Sequence, residues 1–330
     1  MKNKYFTIVI IFSLLILILI SFFSIFSGQK RISVKDVIKV LSGKEKDDIN
    51  YLIINKIRLP RIFAAFIVGV ALSVSGSVLQ GIFDNPLASP YLLGISNGAG
   101  FAASLAIIIG LNGFYIQIFA FFGGIIAATL AILFSYTFKS RGSISIIIGG
   151  ILIGNFFAAL NMYIKLIADP LAKLPSIVYW LMGSFVNASW GSIIMPFILI
   201  FICSFFLLML SWKLNILSYG DDNAKTLGEN PILLKSIALI LTTFITSSAI
   251  SISGVIGWIG VVIPQLARIK ISNDFRKLLP VCIIWGGTFT IFVDSIARVF
   301  LRYELPAGLV SAIAGIPFAA FILSRKNNNF

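Results

Sequence analysis

The stretch RLPRIFAAFIVGVALSVSGSVLQGIFDNPLASPYLLGISNGAG, residues 58–100, decides the fold of this chain. Two apolar segments with small residues spaced along them flank a polar turn that contains two prolines four positions apart. Proline removes a backbone donor and restricts the residue before it, so helix is broken on either side of this turn. The pattern predicts two helices joined at a proline-broken corner.

Composition predicts the environment of these helices. Hydrophobic residues make up 58% of the 330 residues and charged residues 12%, and the mean hydropathy is +1.02. A soluble domain is nearer half apolar and a quarter charged. Long apolar runs without the alternation of a barrel strand indicate helices, which satisfy their own backbone in lipid. We therefore predict an all-α polytopic membrane protein with a single transmembrane domain over residues 1–330.

Hydropathy predicts ten spans of about 20 residues each. The first has more than twenty residues without a charge, whereas the apolar core of a cleaved signal peptide has only ~7–15, so we expect it to be retained. An even number of spans places both termini on the same side. The predicted spans are 5–27, 61–81, 92–110, 115–138, 144–167, 191–212, 232–250, 254–268, 278–300 and 306–324.

Loop charge predicts the orientation, because Lys and Arg in short loops favour the cytoplasm. Most basic loop residues share one face if both termini are cytoplasmic. The exception is segment 28–56 on the opposite face, with seven basic and four acidic residues. The net charge of +14 suits anionic lipid headgroups, and no basic stretch has the aromatic interleaving of a nucleic-acid surface. The cytoplasmic set comprises Lys2, Lys4, Lys139, Arg141, Lys213, Lys225, Lys235, Arg268 to Lys277, Arg325 and Lys326.

Several kinds of chemistry are excluded by missing residues. The chain has no histidine, which removes imidazole ligands, bases and proton relays. Cys203 and Cys282 fall inside predicted spans, where neither can form a disulfide across an external loop. No phosphate-binding G-x-x-x-x-G-K-[ST] loop is present, so ATP-driven transport would need an ATPase on another chain. No acids or reactive cysteine converge in the spans, and we predict neither an enzyme nor a metal site.

Small residues recur at helical spacing in three spans, including Gly150 with Gly154, and are expected to pack helices closely. The turn at residues 84–90 is either a constriction of a pathway or an ordinary cytosolic turn. Asp294 and Arg298, at i and i+4, are expected to pair. Together with Arg58 and Arg61, Arg298 is either part of a cationic rim for an acidic partner or a structural ion pair, and Arg61 is alternatively an interfacial side chain.

One sizeable hydrophilic segment, residues 213–231, lies on the predicted cytoplasmic face. Asp221 or Asp222 is expected to cap a short helix, Gly228 to end it, and Pro231 to begin the next helix. Such a helix beneath the membrane suits docking to a soluble partner. A solvated loop is the alternative.

These motifs, in this order and over almost the full length, resemble the FecCD-type (BtuC-like) permeases of ABC importers. The family takes up iron-siderophores, haem, vitamin B12 and, in some branches, molybdate. The matching segments are RLPR (58–61), SGSVLQ (75–80), NPLASPYLLGISNGA (85–99), YWLMGS (179–184), AKTLG (224–228), GVIGWIGVVIPQLAR (254–268), DSIAR (294–298) and ELPAGLVSAIAGIP (304–317).

The resemblance implies the type II ABC importer permease fold, with about ten helices per subunit in the cytoplasmic (inner) membrane. It also implies a homodimer, or a dimer with a close paralogue, whose pathway follows the dimer axis. Two ABC ATPase subunits below would bind the ATP, and an extracytoplasmic substrate-binding protein would dock above. The permease itself would hold no cofactor and do no bond chemistry.

The resemblance also carries roles to single residues. It places a cytoplasmic gate at Asn85, Leu87 and Ser143, and binding-protein docking at Arg58, Arg61 and Arg298. The coupling helix in the ATPase groove falls on 222–228, with Asp222, Ala224, Leu227 and Gly228, and the short helix 175–183 is expected to help shape an external gate. The chain departs from the family at Gln265, where a P-H-x-x-R motif usually has histidine, although glutamine can keep a hydrogen bond.

The function implied is ATP-driven alternating access that imports a metal chelate, with iron-siderophore as the first choice on family frequency. Cobalamin, haem and molybdate stay open, although a chain without histidine argues against ligation of haem iron during passage. A remoter alternative is a secondary transporter driven by an ion gradient. Such proteins usually carry an acidic or histidine relay, whereas the only acid clearly within a span here, Asp294, has an arginine nearby.

Overall fold

In the computed structural model, residues 2–28, 30, 32–42, 49–138, 143–299 and 304–326 are described, and this part of the chain contains helices and no strand. A π-helical turn covers Ile53–Arg58 and a 3-10 turn covers Pro90–Leu93. The α-helices are α1 (Lys2–Phe26), α2 (Val34–Leu41), α3 (Ile49–Leu52), α4 (Leu59–Ile82), α5 (Ile95–Ile108), α6 (Gly113–Ser135), α7 (Ser143–Ile167), α8 (Lys173–Leu181), α9 (Trp190–Met209), α10 (Ser211–Leu217), α11 (Asp221–Thr226), α12 (Pro231–Ser253), α13 (Ile259–Lys270), α14 (Phe275–Val299) and α15 (Ala307–Lys326).

Each of the ten predicted spans coincides with a helix. Seven helical segments among the described residues are long and apolar enough to cross a bilayer, namely those ending at residues 26, 82, 135, 167, 209, 253 and 299. The other three predicted spans correspond to α5, α13 and α15, of which α13 has only 12 residues. The all-α polytopic fold is therefore confirmed. Lys139 and Arg141, used above for orientation, lie outside the described residues.

Helix α4 is the central helix of the bundle. Of the residues in its most apolar stretch, 89% are buried, whereas only 11% of those in the most apolar stretch of α1 are buried. Because α1 faces outward over most of its surface, it is a peripheral helix, although Phe6, Ile10 and Leu17 still pack on the main core. That core runs from Ile62 to Ala307 along the chain, so helices distant in sequence share one apolar interior.

The central helix packs antiparallel along α14 over its whole length. Arg61 of α4 meets Asp294 of α14, and a β-carbon at Gly69 would overlap the Gly286 carbonyl. Further along, the Ser73 hydroxyl donates to the Cys282 carbonyl at 2.7 Å. Each step along α4 is thus matched by an equal step backwards along α14. This constant register requires glycine and serine at the closest points, as predicted for small residues spaced along a membrane helix.

The other small-residue motifs also make close contacts. A side chain at Gly150 of α7 would overlap the Leu92 carbonyl, and Gly154 lies beside Gly94. In α15, a β-carbon at Gly315 would come within 2.5 Å of the β-carbon of Trp258. The packing role predicted for these motifs is therefore confirmed where their side chains are described. Cys203 and Cys282 are both buried and free.

We predict that Gly69→Ala destabilises the protein, because the new methyl group would force α4 and α14 apart. Overpacking of this kind costs roughly 1–3 kcal/mol. The measurement is the thermal unfolding midpoint of the purified protein in detergent. Gly113→Ala is the matched control, since an added β-carbon there meets nothing within 4 Å. An equal midpoint for the two variants would contradict the close approach of the helices.

Candidate functional site

The corner after α4 is built by two local motifs. Asp84 adopts a left-handed conformation (φ 45°), and the Asn85 amide donates to the Gln80 carbonyl at 3.1 Å, which closes the helix with a Schellman-type bond. The Asn85 side-chain oxygen then accepts from the Leu87 amide at 2.9 Å, and the Ala88 amide donates to the Asn85 carbonyl at 3.0 Å. Asn85 therefore organises the turn that follows it.

This turn presents Leu87 and buries its neighbour. The Leu87 side chain is 49% exposed, whereas Ala88 is fully buried. Ser89 is extended and Pro90 opens the short 3-10 turn, which ends at Gly94 in the left-handed region (φ 72°). The corner is therefore a defined projection of one apolar side chain. Of the three predicted gate residues, the structure brings Asn85 and Leu87 together.

Ser143, the third predicted gate residue, is the first residue of α7. Its side chain and residues 139–142 lie outside the part of the chain that the structure describes, so Ser143 is not placed relative to Leu87. Its role stays a prediction.

A buried pair of glutamines supports the corner from α13. The Gln265 side-chain nitrogen donates to the Gln80 side-chain oxygen at 2.9 Å and to the Pro86 carbonyl at 3.1 Å. The Gln80 nitrogen donates to the carbonyls of Gly260 and Val261, each at 3.3 Å. The expectation that glutamine keeps a hydrogen bond at this position is confirmed. Sequence reasoning missed Gln80 as its partner, because no spacing rule connects residues 185 apart.

The three arginines predicted to form a rim do gather at the other end of α4, but below the surface. Arg58, Arg61 and Arg298 are each 4% exposed. Arg61 contacts Asp294 at 2.9 Å and Glu304 at 2.7 Å. The predicted i, i+4 pair is also present, since Arg298 contacts Asp294 at 3.1 Å.

The remaining guanidinium donors are directed at backbone carbonyls near the end of α1. Arg58 donates to the carbonyls of Ile25 and Lys30. Arg298 donates to the Ser27 carbonyl at 3.1 Å and to the Ser24 hydroxyl. We call the five charged residues Arg58, Arg61, Arg298, Asp294 and Glu304 the buried charge cluster. Its bonds join α1, α4, α14 and the segment before α15, so the cluster holds four parts of the chain together.

The segment predicted to couple to an ATPase contains the expected short helix. Helix α11 covers Asp221–Thr226, and Gly228 follows with a positive φ of 79°. Pro231 is the first residue of α12. The prediction that an aspartate caps α11 was wrong, because Gly220 occupies the cap position. The two aspartates lie inside the first turn instead, where a helix N-terminus favours negative charge.

One ion pair joins this helix to α12, since Lys235 contacts Asp221 at 2.6 Å. Lys225 and Asp222 pair within α11 at 3.2 Å. Ala224 is fully buried against the bundle, whereas Leu227 is 64% exposed. The helix therefore rests on one side and presents an apolar residue on the other. A helix presented in this way can fit into a groove on a soluble protein.

The predicted short helix after the fifth span is also present as α8. It begins at Lys173 rather than Pro175 and is followed by Gly183 with φ 73°. The Ser184 amide donates to the Ser253 carbonyl at 2.7 Å. Beside α8 lies a groove of about 1100 Å³, whose lining is mainly apolar and also includes Gln117, Lys173 and several serines. Sequence reasoning missed this groove, since its walls come from α6, α8 and α12.

Comparisons with known proteins agree over nearly the whole chain. The FecCD transport family matches residues 15–325. The molybdate import system permease protein MolB of Haemophilus influenzae is 37% identical over 317 residues, 94% of each chain. A probable iron chelatin transport system permease protein of Helicobacter pylori is 38% identical over 274 residues, 83% of each chain. A solved metal-chelate type ABC transporter in an inward-facing conformation has a TM-score of 0.87 at 33% identity, and the match covers 96% of this chain and 99% of that one.

We predict that Asp294→Asn strongly destabilises the protein, because Arg61 and Arg298 would lose their shared counter-charge. Removing one partner of a buried ion pair costs about 3–5 kcal/mol. The measurements are the yield of monodisperse protein and its thermal unfolding midpoint. Asp222→Asn is the control, since that carboxylate is 98% exposed and exposed pairs contribute little. Similar midpoints for the two variants would show that the buried charge cluster does not stabilise the fold.

Proposed function

This chain belongs to the FecCD transport family of ABC importer permeases, and from that premise we propose that it is the permease subunit for a ferric chelate such as an iron-siderophore. It is a multi-pass membrane protein in a family whose ATP is hydrolysed by a separate subunit. The near full-length match to the metal-chelate type ABC transporter supports this proposal most directly.

The proposed mechanism is alternating access in a dimer of this chain in the cytoplasmic membrane, with both termini cytoplasmic. The corner with Asn85 and Leu87 would form part of the gate at the cytoplasmic mouth, together with Ser143. The exposed turn supports this role, because one apolar side chain projects from a backbone held by Asn85. Closure of the ATPase subunits would move α11 and thereby open or shut the gate.

Docking of an extracytoplasmic binding protein is the second part of the proposal. Arg58, Arg61 and Arg298 would receive acidic residues of that protein, but each now bonds to partners within the chain. Direct contact therefore requires Arg58 and Arg298 to leave the carbonyls at the end of α1. A β-carbon added at Gly28 would lie 3.0 Å from the Arg58 guanidinium, so the backbone at Gly28 packs against this side chain. Moving that backbone away would give a partner access to Arg58.

Molybdate is a second candidate cargo, favoured by the 37% identity to MolB over 94% of both chains. A ferric chelate and a small oxyanion differ greatly in size and charge. Neither cargo needs a covalent step in the permease. Uptake measurements distinguish them directly.

We predict ATP-dependent accumulation of a ferric siderophore in proteoliposomes that contain this chain, its ATPase and the loaded binding protein. Parallel samples carry molybdate, cobalamin or haem, and a hydrolysis-deficient ATPase is the control. Accumulation of molybdate alone would replace the first cargo with the second. Accumulation without the ATPase, under an imposed proton or sodium gradient, would contradict the importer mechanism itself.

We also predict that Leu227→Asp weakens binding of the ATPase subunit without unfolding the permease, because Leu227 is exposed at the end of α11. A carboxylate there would have to be desolvated in an apolar groove, and a buried group without a partner is costly. Co-purification of the ATPase and the permease melting temperature are the measurements. Leu227→Met is the conservative control. Undiminished co-purification of the Asp variant would remove Leu227 from the coupling surface.

A further inference from the structure

The bonds of the glutamine pair include one to the Gly260 carbonyl of α13, which has no donor within its own helix. In a regular helix the Gly260 carbonyl would accept from the amide of residue 264, but Pro264 has no N–H. The Gln80 side chain supplies the missing donor to Gly260 at 3.3 Å. A proline in α13 thus creates an acceptor that is used by α4.

The backbones of α4 and α13 are close enough at this point to move together. A β-carbon at Gly76 would overlap the Gly260 carbonyl, and Arg268 donates to the Ser77 carbonyl at 3.0 Å. Close contact through glycine and a charge-assisted hydrogen bond both oppose sliding of one helix past the other. Helices α4 and α13 therefore form one rigid pair here.

The orientation of both amides is determined by their partners. Gly260, Val261 and Pro86 each offer a carbonyl, which can only accept a hydrogen bond. The nitrogens of Gln80 and Gln265 must therefore face these atoms, and the Gln80 oxygen is left to accept from Gln265. Both side chains are at most 9% exposed, so water does not readily replace these bonds. Gln265 of α13 therefore donates both to the corner and to Gln80, and Gln80 of α4 donates back to α13.

We propose that Gln265 is a positioning residue for the gate, because its bond to the Pro86 carbonyl joins the Asn85–Leu87 turn to α13. This inference rests on the proposed gate function of that turn. Pro86 lies between Asn85 and Leu87, so its carbonyl is the point at which the rigid pair of α4 and α13 holds the turn by a side chain. Without the bond, the turn would stay attached to α4 through its backbone but would no longer be held against α13.

The test measures the cytoplasmic accessibility of a cysteine in the variant Leu87→Cys, with and without Gln265→Met. Native Cys203 and Cys282 are buried, so a membrane-impermeant maleimide reports on position 87. The permease is assembled with its ATPase in inside-out vesicles and labelled without nucleotide and with ATP plus vanadate. We expect Gln265→Met to raise the labelling rate without nucleotide roughly five-fold, because loss of one hydrogen bond changes an equilibrium by about that factor. The difference in labelling rate between the two nucleotide states should become smaller.

Two further variants separate positioning from general damage to the fold. Gln265→His keeps a ring donor at this position and should restore much of the state dependence. Gln117→Met is the matched control, since Gln117 also donates one side-chain bond to a backbone carbonyl, that of Ser192 at 2.8 Å, far from the corner. It should leave labelling at position 87 unchanged. Thermal unfolding midpoints of all variants show whether each one is folded.

The outcomes distinguish the inference from the proposal on which it rests. If labelling at position 87 is the same in both nucleotide states with Gln265 intact, the turn is not a gate and the proposed function of Leu87 fails. If the states differ but Gln265→Met labels like the parent variant, the gate stands and the positioning role of Gln265 is wrong. If the Gln117 and Gln265 variants change labelling equally, the effect is not specific to the pair.

Discussion

The close approach of α4 to α13 and α14 is the constraint on which the rest of the structure depends. Between membrane helices the lipid offers no hydrophobic driving force, so association relies on contact between backbones and on hydrogen bonds. Glycines at 69, 76 and 286 allow that contact. The Ser73 hydroxyl of α4 also donates to the Cys282 carbonyl of α14. Larger side chains at these points would separate the helices that carry the two candidate sites, the arginines at one end of α4 and the corner at the other.

Helix α4 connects these two ends as a rigid element. One end holds Arg61 in the buried charge cluster, and the other ends at the corner supported by Gln80. Because α4 is packed on several sides, a change at one end reaches the other through movement of the whole helix rather than through its bending. The corner itself has fewer bonds, chiefly those of Asn85 and the one from Gln265. It is therefore the part that can move relative to the rigid helices.

Sequence patterns predicted the spans and the close-packing motifs well, because both follow from local rules of length and spacing. They predicted the pairing of Asp294 with Arg298 for the same reason. They did not predict that the three arginines would be buried, since spacing determines which side of a helix a residue occupies but not what covers that side. The bond between Gln80 and Gln265 was beyond reach for a similar reason, because it depends on how two distant helices meet.

The charges within the described spans also bear on how transport is powered. Asp294 is 1% exposed and is held by two guanidinium groups, that of Arg61 on α4 and that of Arg298 one turn further along α14. A travelling proton or sodium ion could use this carboxylate only by displacing an arginine, which would leave a buried cation without a partner. A gradient-driven cycle through Asp294 would therefore break the cluster that joins α1, α4 and α14. The exposed helix α11 is joined to α12 by the surface pair of Lys235 with Asp221 and lies outside that cluster, so moving it would not have this cost.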